Sequence, residues 1–272
     1  MPELPEVETT CRGIAPYLIN KTVKGVVIRQ SKLRWPITRG LAGEISGTRI
    51  ESVSRRGKYL LISTSSGVLI IHLGMSGSLK IVPLKQLAEK HDHFDLLVSG
   101  EKVLRLTDPR KFGSVLWTKK ENLERHKLLE KLGPEPLSDE FSCEDFYLLS
   151  RNKKVAVKNF IMNSHNVVGV GNIYANEALF RAGIKPNRPA GQISKQRYTL
   201  LVAEIKAVLS EAIKQGGTTL KDFTGGDGKP GYFKQQLAVY GRAGLPCARC
   251  AQPLKEIRMA QRSTVFCAQC QK

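Results

Sequence analysis

The sequence predicts an α+β protein of two domains, an N-terminal β-sandwich flanked by helices and a helical second half ending in a cysteine-bearing tail. Three observations carry that reading: short β-branched runs between residues 22 and 117, a change to helical periodicity beyond Gly133, Pro134 and Pro136, and four cysteines within the last 26 residues. A length of 272 residues with 41% hydrophobic residues is enough for ordered cores and argues against disorder. The charge is unusual: 43 Lys and Arg against 24 Asp and Glu leave a net +19, which points to a polyanionic partner. No apolar run approaches the roughly 18 residues of a membrane helix, since the longest, at 68–73, is interrupted by His72. Glu3, Glu6 and Glu8 precede the first base, Arg12, which reverses the pattern of a signal peptide. The expected setting is the cytoplasm.

Taken in order, residues 6–19 offer a helix, with Pro5 able to sit in its opening turn and acidic groups at its positive end. Strands are expected at 23–28, 49–54, 59–64, 68–73, 96–98, 103–107 and 114–117, with Ser65-Ser66-Gly67 as a turn. The breakers at 131–138 mark a linker. Helices follow at 143–150, 155–163, 172–182 and 195–215, the last with Leu201, Ile205, Val208, Leu209 and Ile213 along one stripe. The tail from Leu237 is too short to fold on an apolar core alone. Cys11 and Cys143 stand apart and read as packing residues.

Cys247-x-x-Cys250 and Cys267-x-x-Cys270, sixteen residues apart, can place four sulfurs about one tetrahedral ion. One structural Zn2+ is expected, with no open position for catalysis; a redox pair would need only one such motif. Between the pairs lie Arg258, Gln261, Arg262, Ser263 and Thr264, a basic, hydroxyl-rich loop that suits phosphate. Gly169, Val170 and Gly171 make a tight turn before a helix beginning at Asn172, either a plain N-cap or an anion site with Asn172 facing outward.

The N-terminus, Met1-Pro2-Glu3-Leu4-Pro5-Glu6, has two readings. One is a proline-started helix with acidic first-turn residues. The other is chemical: removal of Met1 would expose a secondary amine at Pro2. An α-amine has a pKa of about 8 against about 10.4 for lysine, so it is the better nucleophile at neutral pH. Glu3 and Glu6 are within reach to move protons. Arg55-Arg56-Gly57-Lys58, Gly74-Met75-Ser76-Gly77, His91-Asp92-His93 and the segment from Asp108 to Gly113 read as loops. Met75 and Phe112 could be core residues, and the two histidines loop hydrogen-bonders or metal ligands. The glycine-rich stretch 216–233 reads as a mobile loop.

Pro2-Glu3-Leu4-Pro5-Glu6-Val7-Glu8, Arg56-Gly57-Lys58, Thr107-Asp108-Pro109-Arg110, Gly171-Asn172-Ile173-Tyr174 and the four cysteines, in this order, resemble the bacterial formamidopyrimidine-DNA glycosylase family. The match also takes in residues 216–223 and 260–264 and runs to Gln271. The resemblance implies an N-terminal catalytic sandwich domain at 1–130 and a linker with one helix at 131–151. A helix-two-turns-helix DNA-binding domain with a lesion-capping loop would follow at 152–236, and a zinc finger hairpin at 237–272. It implies excision of oxidised purines, chiefly 8-oxoguanine and formamidopyrimidines, from damaged double-stranded DNA by a monomer, with strand cutting by β,δ-elimination.

In that pattern Pro2 is the nucleophile, Glu3 the proton donor, Lys58 a phosphate-contacting catalytic residue and Glu6 a support for proton transfer. His91, Arg110, Asn172, Arg262 and Lys221 would contact DNA, while Met75, Arg110 and Phe112 would fill the gap left by an extruded nucleotide. Asn159 after Lys158, residues 163–166 and Thr224-Gly225-Gly226 depart from the family pattern, which bears on local helix geometry and base preference. Two alternatives stay open: a sister specificity for oxidised pyrimidines of the endonuclease VIII kind, and a DNA-binding module without catalysis.

Overall fold

The computed structural model describes residues 2–217 and 237–272. They fall into two compact units, residues 2–130 with 215–217, and residues 131–214 with 237–272. The expectations for Met1, Lys221, the capping loop at 218–232 and Thr224-Gly225-Gly226 lie outside the described residues. No helix among the described residues is long and apolar enough to cross a membrane.

The first unit opens with helix α1 (Leu4–Leu18), two residues earlier than the periodicity indicates. The reason is a capping box: Glu3 is the N-cap, and its backbone N–H donates to Glu6 Oε2 at 2.8 Å. Val7, Cys11, Ile14 and Leu18 put one stripe of α1 into the core. Strand β1 (Val23–Ile28) and the short helix α2 (Leu41–Ile45) follow, then β2 (Ile50–Arg56), β3 (Tyr59–Thr64), β4 (Val68–His72), β5 (Ser78–Pro83), β6 (Asp92–Val98), β7 (Lys102–Thr107) and β8 (Ser114–Thr118). They form two four-stranded sheets, ordered β1-β6-β7-β5 and β2-β3-β4-β8, with every pairing antiparallel. Inward residues of both sheets, among them Leu60, Ile62, Leu69, Ile71, Phe94, Leu96, Leu104 and Leu106, share one core with α1 and α2.

Three features differ from the sequence reading. Helix α2 and strand β5 were not expected, because five helical residues give little periodicity and β5 alternates weakly between Ser78 and Pro83. Strand β6 begins at Asp92, not Leu96, so Asp92 and His93 belong to the sheet. Charged Asp92 and Asp95 disguise it in the sequence, but both are buried. Asp95 accepts from Arg105 Nε and Nη2, each at 2.9 Å, and from Arg29 Nη2 at 2.6 Å. Burial works against ionisation there, yet those arginines outweigh it and hold the Asp95 carboxyl below its usual range.

The second unit contains α3 (Cys143–Ser150), α4 (Val157–Ile161), α5 (Asn172–Arg181), α6 (Lys195–Lys214) and a hairpin of β9 (Lys255–Met259) and β10 (Arg262–Phe266). Ser142 caps α3 by accepting from Asp145 N. Phe146 packs edge-on to Phe141 and Tyr198 and obliquely on Phe160, and Leu201, Ile205 and Val208 extend this core along α6. Cys143 is half-buried at the start of α3, its Sγ 3.1 Å from Thr199 Oγ1, whereas Cys11 is buried on the inward face of α1.

Candidate active site and nucleic-acid interface

In the first unit, Pro2, Glu3 and Glu6 are all buried at the head of α1, Glu6 completely. Gly217 lies against Glu6: a Cβ there would stand 3.2 Å from Glu6 Oε1. Glu8 accepts from Arg55 Nε at 2.8 Å, and Cys11 Sγ contacts Ser54 O at 3.3 Å. Helix α1 therefore runs antiparallel to β2. Its start and the β2–β3 turn lie at the same end of the unit. That turn is Gly57-Lys58, between the paired Arg56 and Tyr59, with Gly57 at φ +56° in the first of the two turn positions. Lys58 is thus carried on a tight hairpin, half-buried, at the end where α1 begins.

Two further loops are packed into one body. Met75 and Phe112 are 40% and 47% exposed, so neither is a core residue. A Cβ on Gly74 would come within 2.4 Å of the Phe112 backbone, and one on Gly113 within 2.8 Å of His72 O; glycine permits both approaches. The fully buried Asp108 joins them: its Oδ1 accepts from Ser76 Oγ at 3.2 Å and its Oδ2 from Gly113 N at 2.8 Å. Arg110 reaches across, donating from Nε to Ser76 Oγ at 3.2 Å and from Nη2 to Met75 O at 3.3 Å. His91 is half-buried and its carbonyl accepts from Asp108 N at 2.9 Å. The ring of His93, at a bulge in β6, meets Asp108 O at 3.0 Å, which makes it a structural strand residue and not a loop residue. The first unit thus gathers Met75, His91, Arg110 and Phe112 around one buried aspartate, a motif residue to which the sequence reading gave no role.

In the second unit, Gly169 sits at φ +81° and Gly171 caps α5. Asn172 does not simply face outward: its Nδ2 donates to Ser263 O of β10 at 3.0 Å, while its Oδ1 is buried and has no hydrogen-bond partner among the described residues. Asn176, one turn on, donates to Asn172 O and accepts from Val265 N. These bonds fasten the glycine turn to the hairpin that bears exposed Arg262. Lys158, fully buried, adds a third tie through Thr264 Oγ1 at 2.6 Å. The hairpin turn is Ala260-Gln261, with φ +44° and +60°, the double left-handed pattern of a type I′ turn.

The four Sγ atoms of Cys247, Cys250, Cys267 and Cys270 all lie within 4.8 Å of one another. Arg249 N and Cys270 N point at Cys247 Sγ and Cys267 Sγ, each at 3.4 Å. Burial raises the Cys247 pKa, but hydrogen bonds from the Arg249 and Cys250 backbones outweigh it and bring the thiol down to about 7. Four soft donors in this spacing fit one tetrahedral Zn2+, and Val239, Leu254, Val265 and Phe180 form only a small core beside it. Glu177, buried on α5, accepts from the N–H groups of Ala238, Val239 and Tyr240 at 2.8–3.0 Å and anchors the start of this segment. No sequence pattern marked it.

A proline-and-glutamate helix head on a β-sandwich, with a glycine-turn helix pair joined to a four-thiolate hairpin, places the chain among the zinc-finger DNA glycosylases with a helix-two-turns-helix element. Family models agree: the formamidopyrimidine-DNA glycosylase N-terminal domain matches residues 1–115, its H2TH domain residues 132–224, and a zinc finger found in FPG and IleRS residues 244–272. The chain belongs to the formamidopyrimidine-DNA glycosylase family. It is 61% identical to the formamidopyrimidine-DNA glycosylase of Marinomonas sp. and 56% identical to that of Stutzerimonas stutzeri, with the whole of each chain covered. Among solved structures, the Lactococcus lactis Fpg mutant G226P in complex with a Fapy-dG containing DNA superposes with a TM-score of 0.94 at 32% identity over the full length of both chains. The MutM (Fpg) protein of Thermus thermophilus superposes with a TM-score of 0.90 at 37% identity, covering 99% of this chain and 98% of the other.

Proposed function

We infer that this chain is a bifunctional DNA glycosylase and AP lyase of base-excision repair, which excises 8-oxoguanine and formamidopyrimidines from duplex DNA and nicks the strand by β,δ-elimination. The observation that carries the mechanism is the buried head of α1, where Pro2 stands beside two carboxylates held by a capping box. With Met1 removed, the Pro2 nitrogen bonds to C1′ of the damaged nucleotide and the bond to the base breaks. Glu3 supplies a proton as the sugar ring opens, leaving a cationic iminium. That cation acidifies C2′–H, so the 3′ phosphate departs, and a second proton loss expels the 5′ phosphate. Glu6 holds Glu3 through its backbone N–H and supports the proton transfers. Lys58 faces the lesion phosphates from its hairpin.

A stacked base cannot reach an amine fixed in a protein, so the nucleotide must leave the helix at a cost of a few kcal/mol. Met75, Arg110 and Phe112, on their common scaffold, fill the space it leaves. His91, Asn172, Arg262 and Lys221 hold phosphates, consistent with the net charge of +19. Catalysis is assigned to residues 1–130, duplex binding to 152–236 and the rigid zinc hairpin to 237–272, in a chain acting as a monomer on DNA in the bacterial cytoplasm.

Borohydride in the presence of 8-oxoguanine duplex should add one cleaved-strand fragment to the intact mass, and acetylation of the Pro2 nitrogen should abolish it. Equal cutting by blocked and free protein would refute the nucleophile. Faster cutting of oxidised pyrimidines than of 8-oxoguanine would favour the sister specificity.

A further inference from the structure

His72 is a half-buried titratable residue that the mechanism above does not use. It ends β4, pairs with Tyr59 on one side and with Ser114 on the other, and thus stands between the Lys58 hairpin and the strand that follows Phe112. Its ring lies 4.9 Å from that of Tyr59, the residue directly after Lys58. Its Nδ1 accepts the backbone N–H of Gly74 at 2.9 Å. This bond runs from residue i+2 back to a side-chain acceptor at i, and it closes a turn that Gly74 enters at φ +65°. Gly74 is also the point where the Met75 turn touches the Phe112 backbone. Whatever fixes Gly74 fixes the approach of both exposed apolar side chains.

The acceptor works only while Nδ1 carries no proton. Burial first, then the cationic neighbours Lys58 and Arg34, hold the His72 pKa down to about 4, so the ring is neutral throughout the physiological range. The unprotonated Nδ1 and the N–H on Nε2 are therefore fixed by the surroundings. Asp108 clamps the same pair of loops independently, through Ser76 and Gly113.

We propose that His72 is a positioning residue for gap filling: its Nδ1, by holding the Gly74 N–H, sets Met75 and Phe112 at the height needed to enter the base stack beside an extruded nucleotide. This rests on the reading of Met75 and Phe112 given above. His72 touches neither the sugar nor the phosphates in this scheme, so the chemistry at Pro2 should be indifferent to it.

The test separates insertion from chemistry. His72→Leu keeps volume and removes the acceptor, His72→Asn restores an acceptor at the position of Nδ1, and His72→Gln moves it outward by one methylene. Insertion is followed by the fluorescence rise of 2-aminopurine next to 8-oxoguanine in a duplex, under single-turnover conditions. Chemistry is followed by borohydride trapping on a single-stranded oligonucleotide carrying an abasic aldehyde, which needs no gap filling. We expect His72→Leu and His72→Gln to slow the fluorescence rise about tenfold or more while trapping stays within about twofold, and His72→Asn to recover most of the rate. The His72→Asn and His72→Gln pair, both polar, answers the question if the leucine variant does not fold. An unchanged fluorescence rise, equal slowing of both readouts, or equal slowing by Asn and Gln would overturn the proposal. A wild-type protein that traps nothing would overturn the functional reading, and this proposal with it.

Discussion

Glu177 holds three consecutive backbone N–H groups with one buried carboxylate. Glu177→Gln brings an amide N–H toward a donor, and should destabilise the second unit by about 3 kcal/mol, read as a lower urea midpoint with an unchanged slope. His72 has a different signature. Its folded pKa of about 4 lies below the ordinary 6.5, so between those values the unfolded chain binds a proton that the folded chain does not. Stability from this residue is complete above pH 6.5 and is lost as pH falls toward 4, by roughly 3 kcal/mol. Melting temperatures measured across that window should fall less steeply in His72→Asn than in the wild type. Asp95 acts in a lower window: its depressed pKa contributes above the ordinary 3.8 and is lost as pH drops below it.

The β9–β10 hairpin shows how an element can be stable despite its local sequence. Ala260 and Gln261 both adopt positive φ, a conformation that favours asparagine and glycine. The pair Ala260→Asn with Gln261→Gly should stabilise the zinc-bound finger by about 1 kcal/mol, measurable as a higher chelator concentration at half release. The same element explains why parts of the chain could be read in advance and others not. The long helix α6 and strands β1 and β3 announce themselves by periodicity and β-branching over six residues or more. Strand β6 does not, because Asp95 is held by Arg105 of β7 and by Arg29 just past β1, and Asp92 by Thr107 and the Glu89 N–H, partners that local pattern does not reveal. In the candidate site, Pro2, Glu3, Lys58 and the cysteines were legible as motifs. The contacts of Asp108, His72, Glu8 with Arg55, and Glu177 were not, even where the residue stood inside a motif, since their partners are set by the fold and not by local pattern.

At the scale of the whole molecule, charge and metal dominate. Binding to duplex should weaken steeply with salt, each phosphate contact contributing a log-log slope of about −0.9, so a flat response would contradict phosphate anchoring. Stripping the zinc should abolish duplex affinity while leaving the first unit folded. Trp35 and Trp117, the two tryptophans of the chain, both belong to that unit, so their emission should stay constant as the chelator takes the metal.

The placement of Gly217 against Glu6 has a consequence for the order of synthesis. The residue that covers this carboxylate leaves the ribosome more than two hundred residues after it. A nascent chain that has completed both sheets still presents its first helix without that cover, which gives an aminopeptidase time to trim the start before the returning segment closes over it.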